Sequence, residues 1–162
     1  VARSYIGEVM GEEVAARRVC SLVTLGTPHN PPPQDSPVAA LDQTRGLLTY
    51  INDKFPAGSP LPASSVTCVA GRGTKSPASI GALFKDAKAK SWDSQLRRST
   101  LLEEVVALSS YFPLSGQAFD TVGDGLIPVK TALMERCGAV EIDDCNHAAF
   151  VPTLGKSLFL PE

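Results

Sequence analysis

Three short apolar runs constrain this chain more than any other feature. They are "VCSLVTLG" (19–26), "SSVTCVAG" (64–71) and "GAVEIDD" (138–144). The first two, apolar runs of strand length, suit strands covered on both faces, as in a parallel sheet, and the last reads as a third strand. Helix-patterned stretches alternate with them. "VARSYIGEVMGEEVAARR" opens the chain, with Val1, Tyr5, Ile6 and Val9 expected on one apolar face. Ser36 and Pro37 offer an N-cap and a first helical residue for a helix through "VAALDQTRGLLTYINDKF" (38–55). A third helix lies within "KSWDSQLRRSTLLEEVVALSSYF" (90–112), and "HAAFVPTLGKSLF" (147–159) reads as a closing helical segment. Strands alternating with helices predict an α/β fold, a mostly parallel sheet with flanking helices. The proline-rich "TPHNPPPQDSP" can be neither helix nor inner strand. "GRGTKSPASIGALFKDAKAK" is the least regular stretch and reads as an insertion.

Composition removes several function classes. A length of 162 residues suits one domain, and 43% hydrophobic with 20% charged residues describes a globular chain. A net charge of −2 gives no pull toward nucleic acid. No apolar run has the ~20 residues of a membrane span, and the start carries no signal-peptide pattern. GxxxxGK[ST] is absent, which disfavours phosphoryl transfer. HExxH, CxxC and zinc-spaced Cys/His clusters are also absent, so no metal and no cofactor is expected. Cys20 and Cys68 lie in strand patterns and read as inert core thiols. Cys137 and Cys145 flank the third run nearer the surface, where a bridge stays open as an alternative to free thiols.

Open α/β sheets bind ligands at the C-terminal ends of their strands. Three loops stand there: "GTPHNPPP", "GRGTK" and "CNHAAF"; "VGDGLIP" precedes the third strand. Asp124 and His147 therefore sit on loops with room for one helix and one strand between them. A carboxylate that orients an imidazole, and an imidazole that serves as general base, form two thirds of a Ser-Asp-His triad. Each signal alone is weak. Gly-Asp-Gly is usually only a turn, and a single His after a strand is usually structural. His29 reads more readily as a group bonding the proline-rich loop than as part of a site.

Together, "SLVTLGTPHNPPP", "LDQTRGLLTYI", "VTCVAGR" and "GDGLIPVKTALMERCGAVEIDDCNHAAF" resemble the lipase-like α/β-hydrolases of plants and algae, the GPI-inositol-deacylase and triacylglycerol-lipase group. The resemblance is weakest over 72–100. It implies a carboxylic ester (lipid) hydrolase with Asp124 as triad acid and His147 as triad base. It places Thr27 and His29, of "VTLGTPH", as substrate-binding or supporting residues. In this group a G-x-S-x-G elbow precedes the helix that resembles "VARSYIGE", and this chain has none. Ser4 falls inside the helical pattern. The chain also opens on Val1 rather than Met. The expectation is that residues 1–162 are the C-terminal part of one α/β-hydrolase domain, a partial fold whose nucleophile and N-terminal half lie upstream. The alternative is a non-catalytic hydrolase-fold subunit acting as a scaffold or interaction module; retention of both Asp124 and His147 favours the enzyme. Segment 72–100 is expected to be an insertion or lid. Between Arg72 and Arg98 it carries seven basic and two acidic residues, a charge suited to peripheral contact with an anionic membrane or equally to a solvated face. The implied substrate is a lipid or small ester. The plant and algal resemblance implies a plastid location, with a soluble intracellular one as the fallback.

Overall fold

The computed structural model describes residues 1–35, 39–40, 42, 44–89 and 95–150. The opening segment is helical but interrupted: α1 (Ala2–Ser4) runs into a π-helical turn (Tyr5–Met10), and α2 (Glu12–Arg18) resumes after Gly11. Then come β1 (Leu22–Leu25), α3 (Leu47–Lys54), β2 (Val66–Arg72), β3 (Thr74–Lys75), α4 (Ile80–Ala89) and α5 (Gln95–Ser115). The chain continues through β4 (Val122–Gly123), α6 (Val129–Ala132) and β5 (Gly138–Asp143). The expected mixture of helices and a parallel sheet is present. The three apolar runs form one sheet of order β1-β2-β5, parallel throughout, with Leu22 opposite Val66 and Thr67 opposite Gly138.

β2 is the central strand and supplies the core. Val66 and Cys68 are fully buried and pack with Ile6, Ala15, Leu61 and Met134. Central position explains why β2 alone meets the expectation of burial on both faces. In β1 only Thr24 is buried, while Val23 is 57% and Leu25 47% exposed. β5 is exposed along its whole length. Cys20 lies before β1 and is exposed, which corrects its reading as a core thiol. Cys137 and Cys145 are free thiols, not a bridge, and burial raises both above the ordinary thiol range.

The opening helix does not bury the expected face. Ile6 is buried, but Val1, Tyr5 and Val9 are exposed at 92%, 55% and 69%. The wider π turn shifts the phase of the helix, so the spacing from Val1 to Val9 no longer marks the inner side. Arg3 takes that side instead, donating to Phe55 O at 3.1 Å and Asn52 Oδ1 at 2.7 Å. The helix expected from Ser36 begins only at Leu47. Before it, Asp42 accepts from the Thr44 N–H at 2.8 Å and the Gly46 N–H at 2.7 Å, a side-chain turn that competes with helix. Residues 36–38, 41 and 43, all of "KSWDS" (90–94) and the segment after Phe150 lie outside the described residues.

The stretch expected to be irregular is ordered by pairing at its base. β3 runs antiparallel to β4, with Thr74 opposite Gly123 and Lys75 opposite Val122. Beyond this pair, Ser76 and Thr121 bond twice: Ser76 N–H to Thr121 O at 2.8 Å, and Thr121 N–H to Ser76 Oγ at 2.9 Å. Asp120 N–H reaches Pro77 O at 3.1 Å, and Lys75 Nζ pairs with Asp120 at 2.7 Å. These contacts form a neck from which α4 and α5 extend as a helical excursion between β2 and the Asp124 turn.

Candidate functional site

Asp124 follows β4 on a tight turn. Its Oδ1 accepts the backbone N–H groups of Leu126 at 3.0 Å and Ile127 at 2.7 Å, while its own N–H donates to Ile127 O at 3.2 Å. This is the self-bonded Asp turn that the sequence suggests, but it uses only one carboxyl oxygen. Oδ2 lies 2.7 Å from His147 Nδ1. The two loops are also joined through the main chain, with His147 N–H donating to Asp124 O at 2.7 Å. The Asp124 side chain is 1% exposed and that of His147 33%. A buried acid thus meets a base that solvent or a substrate can reach. The hydrogen bond to Asp124 raises the His147 pKa, partly opposed by desolvation. With Nδ1–H donating to the carboxyl oxygen, neutral His147 carries its lone pair on Nε2.

The strand ends bring these loops together. His147 follows β5 by a short turn, and the Asp124 turn crosses the C-terminal end of β2. The crossing is so close that a Cβ on Gly71 would lie 2.3 Å from Cys145 O and 2.9 Å from Asp124 Cβ. Gly73 N–H then donates to Cys145 O at 3.0 Å. Sequence reasoning marked "GRGTK" as a strand-end loop but missed that Gly71 is the seat for both functional loops; the glycine closing an apolar run was the available signal.

The other candidate residues have structural partners. His29 is 4% exposed, with Nε2 at 2.9 Å from Thr24 Oγ1. Its N–H donates to Thr131 O at 2.7 Å and its carbonyl accepts from Asn52 Nδ2 at 2.9 Å. Burial and the Arg3 charge push its pKa down to about 4, so this imidazole is neutral at physiological pH. Thr27 is exposed, with Oγ1 at 3.3 Å from Leu25 O. Their loop ties the end of β1 to α6, just beyond the Asp124 turn. Ser4 donates to Glu8 at 2.7 Å, and Ser115 Oγ lies 2.8 Å from Tyr111 O within its helix. Arg72 pairs with Glu141 at 3.3 Å and Asp143 at 3.6 Å across the sheet.

A groove of about 570 Å³ opens beside the acid turn, bounded by Asn30, Arg72, Ser115, Val122, Pro128 and Lys130. Among the described residues no group of three or more His, Cys, Asp or Glu side chains could hold a metal ion. No described helix is long and apolar enough to cross a membrane. No protein-family model, curated protein or solved structure matches the chain. The buried acid and half-buried base remain the arrangement that chemistry can use.

Proposed function

We propose that this chain carries the acid and base of a Ser-Asp-His carboxylic ester hydrolase of the α/β-hydrolase type. Its serine would come from a G-x-S-x-G elbow upstream of Val1. The observation that carries the reading is the 2.7 Å contact between His147 Nδ1, on the loop after the parallel strand β5, and the buried Asp124 carboxyl, on the turn after β4. In the proposed cycle His147 Nε2 takes the serine proton as Oγ attacks the ester carbonyl. Asp124 stabilises the imidazolium. The tetrahedral adduct collapses, the alkoxide leaves with the proton from Nε2, and water then hydrolyses the acyl-enzyme with His147 again as base. The resemblance of "GTPH" and "GDGLIP" points to lipid or other small esters as substrates. β1 stands at the edge of the described sheet, with β2 on one side, so its other side has room to pair with a further strand such as the elbow strand.

A fluorophosphonate probe on the full-length gene product tests this. The expected result is covalent labelling of one serine N-terminal to this chain, lost in His147→Ala. Absence of a reactive serine in a folded full-length protein would overturn the hydrolase reading and favour a non-catalytic role for the same fold.

A further inference from the structure

α5 places the fully buried side chain of Tyr111 beneath the acid turn. Its O–H donates to Thr74 O at 3.2 Å, and its oxygen accepts the Gly125 N–H at 2.9 Å. The loop rests directly on the phenol: a Cβ on Gly123 would lie 2.6 Å from the Tyr111 oxygen. Thr74 Oγ1 in turn donates to Asn146 Oδ1 at 3.0 Å, and Asn146 is the residue before His147. The bonds close a ring through Tyr111, Gly125, Asp124, His147, Asn146 and Thr74.

We propose that Tyr111 is a positioning residue for the Asp124–His147 pair, holding the acid loop and the base loop at one mutual distance through its two hydrogen bonds. The idea rests on reading that pair as acid and base. Functional groups on separate loops need support to within about half an ångström, and a locked buried side chain supplies it. A phenol suits this place because it donates and accepts at once. Burial pushes its pKa up to about 12, so it keeps its donor proton across the physiological range. Without the hydroxyl, the Gly125 N–H and the Thr74 carbonyl lose the phenol that joins them, and the acid turn is free to shift.

The test is the imidazole titration of His147 by NMR in Tyr111→Phe. The groups facing His147 include the Asp124 carboxyl, with the Cys145 thiol and the Tyr111 phenol close by. The substitution removes no charge near neutral pH, so movement of the midpoint reports geometry. A downward shift of the His147 midpoint is expected, with His29 unmoved as an internal reference. Leu114→Ala, on the same helix and outside the ring, should lower stability and leave the midpoint in place. Should Tyr111→Phe not fold, Thr74→Val opens the ring at Asn146 and carries the same expectation. An unchanged midpoint in the folded ring variant, or an equal shift in Leu114→Ala, overturns the proposal. The titration needs no turnover, so an absent upstream serine would remove the hydrolase reading without deciding this one.

Discussion

His29 should make the fold acid-sensitive well above the range where carboxylates titrate. Its pKa falls from 6.5 to about 4 because the ring is buried and faces the Arg3 charge. The unfolded chain therefore binds a proton that the folded chain refuses between those values. Stability from this source is complete above the unfolded value and declines as pH falls through the interval. One pKa unit is about 1.4 kcal/mol, and integrating the two titrations from about pH 7 to about pH 5 gives a loss of about 2 kcal/mol. Glu8 and Asp42 are shifted downward from 4.5 and 3.8, so their losses begin below this interval. His147 has the opposite sign: its pKa is raised, and its stabilisation is complete below 6.5 and lost as pH rises through the folded value. Urea unfolding of the wild type and His29→Gln at the two pH values measures the effect. Between the two values the wild type should lose about 2 kcal/mol more than the variant, a difference from which the His147 contribution, common to both, cancels. An equal change in the two proteins refutes the reasoning.

Two further substitutions probe the site directly. Asp124→Asn presents an amide that can donate toward Nδ1 and so favours the wrong tautomer. Under the proposed function, ester turnover of the full-length protein should drop about 10⁴-fold, and a loss under tenfold counts against Asp124 as the orienting acid. Gly71→Ala would place a methyl 2.3 Å from Cys145 O and 2.9 Å from Asp124 Cβ. Overpacking of this kind costs about 1–3 kcal/mol, read as a lower urea midpoint; an unchanged midpoint sinks the close-packed seat.

The sheet was legible because apolar runs encode strands, but apolarity did not mark the centre: β1, at the edge, is at least as apolar as β2, the central strand. Edge strands were misjudged for the same reason: composition reports what a strand can tolerate, not what covers it. Val23 and Leu25 are apolar yet exposed. The Asp124–His147 pair was legible only in combination, as an Asp turn and a His loop separated by room for one helix and one strand, since neither residue alone marks a site. Its support was not. Tyr111 sits inside a helical pattern as one aromatic among several, and only the fold reveals that its hydroxyl meets Gly125. Arg3 was equally hidden, because a buried guanidinium has no periodic signature and the π turn changed which side of the helix faced inward.

The neck at Ser76 and Thr121 also bears on how such a chain can change over generations. The backbone enters and leaves the helical excursion at one fixed point, so lengthening the connection between α4 and α5 alters neither end. Closure entropy grows only with the logarithm of loop length, about 0.6 kcal/mol per doubling. Duplications and deletions near the tip are thus nearly neutral for the sheet. Near the return leg they are not, since a register slip in α5 would carry Tyr111 away from Gly125. Variation in length should therefore concentrate on the outgoing half of the excursion and spare the incoming half, a hereditary asymmetry set by one phenol.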